Sequence, residues 1–126
     1  MKDGEKNGGS GVPQIVLIDD KGEHCGVQGS YCWDGICVDY AMPSRRVDFR
    51  EKLSIRKDAT IAFKVTHPIG PGQLYVTIFS GDRIVLHKAV DKQMKVQVSR
   101  GTYFLNVKAT WDGQGDSSNV FFIEVL

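Results

Sequence analysis

The chain has 126 residues, of which 41% are hydrophobic and 25% are charged, and its formal net charge is +1. This length predicts a single domain with its own hydrophobic core, and the apolar runs are too short to form a transmembrane segment. Because acidic and basic residues are balanced and interspersed, nucleic acid is excluded as an expected partner.

The first twelve residues, MKDGEKNGGSGV, are polar and rich in glycine, and they contain no apolar segment. This composition is typical of a flexible tether rather than of a signal peptide or a core strand. Two interpretations are open, since the tether either follows a secretion or lipoprotein signal that has been removed or is a native flexible terminus. We expect the domain to occupy residues 13–126.

Residues 29–40 are predicted to form a β-hairpin around Asp34 and Gly35, a pair that favours the two-residue type I′ turn. In this register Cys32 and Cys37 lie opposite each other at a separation that a disulfide accepts. A disulfide favours a location outside the reducing cytosol. Two reduced cysteines in a cytosolic strand pair are the open alternative. Cys25 is left over and is expected to be a small buried side chain.

The hairpin also has an aromatic face. We expect Tyr31 and Val38 to pack on the core, and Trp33 and Ile36 to be partly exposed at the tip. A wholly buried Trp33 is the alternative. An exposed apolar tip is typical of an interaction site.

The order of motifs in this first third of the chain resembles a family. Pro13, the segment GSYCW at 29–33, the segment CVD at 37–39 and Pro43 are similar to short uncharacterised lipoprotein-like proteins of Bacillus and related Firmicutes. The resemblance implies a protein that is secreted or tethered to the outer face of the cytoplasmic membrane, with a possible lipid anchor in the full-length protein. It implies no activity and no functional residues.

Apolar residues recur at every second position through most of the chain, which is typical of half-buried strands. Residues 46–50 alternate in this way, with outward charges that suit an exposed edge strand. The longest row that should face the core is Tyr103, Leu105, Val107, Ala109 and Trp111. Turn residues separate these runs, so the sequence predicts an all-β sandwich of eight or nine strands.

The segment GTYFLNV at 101–107 resembles the penultimate strand of immunoglobulin-like and fibronectin-like sandwiches, in which a tyrosine follows a glycine-containing corner. The resemblance implies that the Tyr103 hydroxyl bonds back to the preceding turn. We therefore predict an immunoglobulin-like or fibronectin-like β-sandwich.

No motif predicts a metal, a cofactor or a catalytic residue. The cysteine spacing lacks the paired knuckles of zinc sites, and residues 112–119, expected as a solvated loop, do not match a calcium-binding pattern. Catalysis through Cys25 or Cys32 is the weakest alternative, because the histidine that papain-like peptidases carry far downstream is absent.

These features favour a non-enzymatic extracytoplasmic binding or structural module whose partner is a protein or a cell-envelope component. The alternative is a peptidase inhibitor that presents the end loops of the sandwich. Candidate binding residues come from the hairpin tip and the loop after residue 111: Trp33, Asp34, Ile36, Asp112, Gln114 and Asp116.

Overall fold

The structure, a computed structural model, describes residues 11–126. The predicted tether lies almost entirely outside this part of the chain, although Val12 is described and is buried in the core. Twelve strands follow in order: β1 (Ile15–Asp19), β2 (Gly22–Cys25), β3 (Val27–Gln28), β4 (Tyr31–Trp33), β5 (Ile36–Val38), β6 (Leu53–Ile55), β7 (Thr60–Val65), β8 (Gln73–Ser80), β9 (Arg83–Val90), β10 (Gln93–Lys95), β11 (Gly101–Trp111) and β12 (Gly115–Val125).

The strands form two sheets. The smaller sheet has the order β10-β7-β1-β2, and the larger one has the order β5-β4-β12-β11-β8-β9, with β3 and β6 also paired to β12. All pairs are antiparallel except β6 with β12, which is parallel. The all-β, immunoglobulin-like sandwich predicted from the sequence is confirmed, with twelve strands in the described residues rather than eight or nine.

The core lies between the sheets, where the alternating rows expected from the sequence are buried. Val76, Ile78, Leu105 and Val107 have no exposed surface, and Trp111 is 5% exposed. Burial of each large apolar side chain contributes roughly 1.5 to 3 kcal/mol, so these inner rows dominate the stability of the fold.

Tyr103 stands at the corner predicted for it. Its hydroxyl donates a hydrogen bond to the carbonyl oxygen of Ser99, 2.7 Å away, in the turn before β11. Gly101 begins that strand with φ of +150°, in a region that favours glycine. The implied hydroxyl bond is therefore present.

The polar run after residue 115, expected as a loop, is instead part of β12. Ser117 and Asn119 face the core side and are buried, and their side chains bond to the chain around β1. Ser117 Oγ donates to the carbonyl oxygen of Pro13 and Asn119 Oδ1 accepts from the backbone N–H of Ile15, both over 2.7 Å. These bonds satisfy the buried polar atoms and tie the two sheets together.

Two further expectations are wrong. Residues 46–50 form no strand, because the backbone there has no neighbouring strand to pair with. Cys25 is exposed rather than buried, because β2 is the edge of the smaller sheet. Within residues 11–126, no helix has the length and apolar character needed to cross a membrane.

Candidate functional site

The cysteine hairpin has the turn that its sequence predicts. Asp34 and Gly35 both have positive φ, of +51° and +82°, as a type I′ turn requires. Cys32 lies opposite Cys37, and the two are joined in a disulfide. The predicted disulfide is confirmed.

The expected exposure of Trp33 is wrong, since this side chain is only 6% exposed. β4 pairs with β12 so that Trp33 lies opposite Gly115, which carries no side chain and approaches the Cys32 carbonyl closely. The indole of Trp33 packs edge-on against Trp111, with 5.3 Å between ring centroids, and against His67 at 5.4 Å. The hairpin tip therefore contributes Trp33 to the core, whereas Ile36 is 64% exposed.

Several predicted binding residues do meet at one end of the sandwich. The backbone N–H of Asp34 donates to the carbonyl oxygen of Gln114, which places the hairpin tip against the β11–β12 turn. Ile36 and Ile69 are both exposed at this end, and the Trp111 indole N–H donates to the Ile69 carbonyl oxygen. We call this end the tip surface: Asp34, Ile36, Ile69, Asp112 and Gln114. A binding role for it stays a prediction.

Asp116 does not belong to the tip surface. It lies within β12, opposite Cys32 of β4, and its Oδ1 accepts the Cys32 N–H over 3.3 Å. Because inward residues of β12 alternate with outward ones, Asp116 points to the outer face of the larger sheet. The sequence placed this residue in a loop, whereas it lies in a strand, and its predicted binding role stays a prediction.

The strand register organises the outer face of the larger sheet into rows. One row is apolar, since Phe104 of β11 lies opposite Phe122 of β12 and Phe79 of β8. The next two rows across β12, β11 and β8 consist mainly of side chains that can hydrogen-bond: Val120, Asn106 and Thr77, then Ser118, Lys108 and Tyr75. The outer face thus changes from aromatic to hydrogen-bonding along the strands.

Residues 39–52 cross this outer face between β5 and β6, and we call them the strap. Its centre is a short 3₁₀ helix, Pro43–Arg45. Phe49 of the strap packs on the apolar row, with its ring centroid 5.5 Å from that of Phe104 and 5.8 Å from that of Phe122. This contact covers aromatic rings that would otherwise be exposed to water.

Arg46 holds the strap in place through several bonds. Its guanidinium donates to the carbonyl oxygen of Gln28 and to both carboxylate oxygens of Asp48, and it lies 4.8 Å from the centroid of the Tyr40 ring. The hydrogen bond from Arg46 holds the pKa of Asp48 below its usual value. Arg46 therefore fixes both the backbone of the strap and the Tyr40 ring.

Polar contacts attach the strap at further points. The Tyr40 N–H donates to Ser30 Oγ over 2.9 Å, and Ser44 Oγ bonds to the Asp82 carboxylate in the β8–β9 turn. Glu51 Oε1 lies 3.7 Å from His24 Nδ1 on β2. The strap is thus attached to both edges of the larger sheet and to the smaller sheet.

A groove of about 420 Å³ lies between the strap and the outer face. Tyr40 and Phe79 contribute aromatic rings to it. Side chains that can hydrogen-bond also line it: Ser30, Asp39, Arg46, Asn106, Lys108, Asp116 and Ser118. A concave surface that combines aromatic rings with convergent polar groups is the usual form of a small-molecule site.

Sequence reasoning missed this groove because it treated residues 46–50 as an edge strand. A signal was available, since Phe104 and Phe122 occupy positions that alternation assigns to the solvent face. Two aromatic residues opposite each other on an outer face indicate that another segment covers them.

Comparisons with known proteins complete this description. No family model matches the chain, and no curated protein matches it. Similar solved structures include a lytic polysaccharide monooxygenase from Jonesia denitrificans, at 9% identity over 60% of this chain with a TM-score of 0.43. They also include a CBM33 protein from Bacillus amyloliquefaciens in complex with Cu(I), at 16% identity over 73% of this chain with a TM-score of 0.47. The matched parts cover 58% and 65% of those chains, less than two thirds of either.

The prediction of a non-enzymatic binding or structural module is contradicted by this comparison, because the similar structures are a monooxygenase and a copper-loaded CBM33 protein. At such low identity no residue role passes from those proteins to this chain. Neither the peptidase inhibitor nor the cysteine-based enzyme gains support, and the Cys32 sulfur is held in a disulfide.

The described side chains form no cluster that fits a copper ion. Among residues 11–126, no group of three or more His, Cys, Asp or Glu side chains is placed to hold a metal. His24 lies on β2, His67 follows β7 and His87 lies on β9, so the histidines occupy separate parts of the sandwich.

Proposed function

We propose that this chain is a carbohydrate-active module that holds saccharide units in the groove between the strap and the outer face. The observation that carries the proposal is the composition of that groove. Tyr40 and Phe79 offer ring faces on which the C–H face of a sugar can pack, and the neighbouring polar side chains can bond its hydroxyl groups.

The polar side chains of the groove differ in how many of their hydrogen-bonding groups already have partners within the chain. The Arg46 guanidinium already donates hydrogen bonds to Asp48 and Gln28, so its main role in the groove is to hold the Tyr40 ring in position. Lys108 takes part in no ion pair among the described residues. Asn106 on the same strand offers both a donor and an acceptor, so the floor of the groove suits ligands that are rich in hydroxyl groups.

We also propose that the chain works outside the reducing cytosol. Support comes from the Cys32–Cys37 disulfide, because such bonds persist in oxidising compartments. Secreted and envelope proteins encounter extended polysaccharides outside the cytosol.

The test is binding to an array of soluble neutral and acidic oligosaccharides, followed by calorimetry on those that bind. Tyr40→Ala is expected to weaken binding about tenfold, since aromatic residues carry much of the energy of binding sites. Asn106→Ala should weaken it as well, which keeps the test independent of any change in the strap that Tyr40→Ala causes. Ile36→Ala, on the tip surface, is the control and should leave the affinity unchanged.

Two results would contradict the proposed function. One is the absence of binding to every saccharide on the array. The other is binding that Ile36→Ala weakens and that Tyr40→Ala and Asn106→Ala leave intact, because the tip surface rather than the groove would then hold the sugar.

A further inference from the structure

The groove opens on one side onto the outer face of β8 and β9, where a second polar and aromatic surface begins. Lys108 on the groove floor lies directly opposite Tyr75 of β8. The Tyr75 ring is parallel to the ring of His87 on β9 to within 2°, with 6.2 Å between centroids. Directly opposed side chains on adjacent strands are about 5 Å apart at Cβ, so Lys108, Tyr75 and His87 form one continuous surface.

The charge of this surface differs from that of the groove. The groove carries two carboxylates, that of Asp39 on the strap and that of Asp116 on β12. By contrast, the outward positions of β8 and β9 carry no acidic side chain: Gln73, Tyr75, Thr77, Phe79, His87 and Ala89. Lys108 and His87 are therefore the titratable nitrogen groups that a ligand over Tyr75 would meet.

His87 is held in one orientation by its neighbour across the strand pair. Its Nδ1 lies 2.7 Å from the hydroxyl oxygen of Thr77. With the Thr77 hydroxyl donating to Nδ1, the ring proton is on Nε2, which is then free to donate to a ligand. Lys108 is exposed and brings an ammonium group that forms no ion pair within the described part of the chain.

We infer that Lys108, Tyr75 and His87 form a subsite for a saccharide unit that bears a carboxylate, next to the groove. The sugar ring packs on Tyr75, and its carboxylate accepts hydrogen bonds from the Lys108 ammonium and from His87 Nε2. The substrate is then an acidic oligosaccharide with one unit in the groove and an acidic unit on β8. This inference rests on the proposed function and names its substrate class.

The experiment compares two probes with the same backbone, hexagalacturonate and its fully methyl-esterified form, by calorimetry at low salt. The wild-type chain is expected to bind the acid form about two- to fivefold more tightly than the ester, which is the effect of one exposed ion pair. Lys108→Gln should remove this preference, so that the acid form and the ester bind with about equal affinity, because the ammonium group is the main partner of the carboxylate. Raised salt should reduce the preference as well.

Lys88→Gln is the matched control. Lys88 is an exposed lysine of β9 that lies opposite the inward residue Val76, so it points to the other face of the sheet. This variant should keep the preference for the acid form. Tyr75→Ala should weaken both probes, because the ring contact is independent of the carboxylate.

The outcomes separate this inference from the proposed function. Equal binding of acid and ester by the wild type, or a preference that survives Lys108→Gln, overturns the acidic subsite and leaves the groove in place. Failure of both probes to bind also overturns the acidic subsite, whereas the proposed function is overturned only if no saccharide on the array binds.

Discussion

Trp33 shows how one side chain connects the surface hairpin to the core. It packs against both Trp111 and His67, although it is adjacent to an exposed two-residue turn. The alternation of residues along the hairpin correctly predicted that Trp33 shares a face with Tyr31. This pattern could not show how far the hairpin tip extends beyond the sheet. That depends on the pairing of β4 with the start of β12, a contact between residues more than 80 positions apart in sequence.

We predict that Trp33→Ala lowers the free energy of unfolding by about 3 to 5 kcal/mol, the usual cost of truncating a buried aromatic side chain. The measurement is urea unfolding followed by circular dichroism. Ile36→Ala is the control, and as an exposed neighbour on the same hairpin it should change the stability by less than about 0.5 kcal/mol. A loss below about 1 kcal/mol in Trp33→Ala would mean that the tryptophan is not part of the core.

At the scale of elements, the strap is the segment that the sequence described least well. Residues 46–50 of the strap alternate between apolar and charged side chains, as the residues of a strand do. This alternation shows only how polarity varies along the chain and does not show whether a partner strand is present. Long-range contacts decide its conformation: Arg46 reaches Gln28, and Phe49 reaches Phe104 and Phe122. The cysteine hairpin was predictable because its register follows from a local turn.

The Arg46–Asp48 pair makes the strap sensitive to acid. The pKa of Asp48 is lowered from 3.8 in the folded chain by the hydrogen bond from Arg46. A carboxyl group whose folded pKa is depressed adds stability above its unfolded pKa, and this stability is lost as the pH falls through the folded pKa. Because the Asp48 side chain is 51% exposed, solvent screening keeps the effect within about 0.2 to 1 kcal/mol.

We therefore predict that Asp48→Asn is less stable than the wild type near neutral pH and equally stable at strongly acidic pH. The measurement is the free energy of urea unfolding of both proteins over a pH series through the carboxyl range. Asp20→Asn, a matched change of an exposed aspartate in the β1–β2 turn, controls for the loss of one charge. A difference between Asp48→Asn and the wild type that does not change with pH would contradict the assigned role.

At the scale of the whole molecule, the fold presents two surfaces at different places on one rigid sandwich. The tip surface combines exposed isoleucines with turn residues, whereas the groove and the β8–β9 surface combine aromatic rings with hydrogen-bonding groups. The sequence predicted the sandwich because alternation and turn residues are local signals. It could not predict the groove, because the groove exists only where the strap, β11, β12 and β8 meet.

The most direct test of the account is nuclear magnetic resonance of the ¹⁵N-labelled chain, titrated with the saccharide that binds most tightly on the array. The account predicts that the amide signals of Asn106, Lys108 and Asp116, together with residues 39–46 of the strap, shift with saturation. The amides of residues 34–36 and 112–114 should stay unchanged. Shifts confined to the tip surface, or no shifts with any saccharide, would contradict the claim that the groove is the functional site.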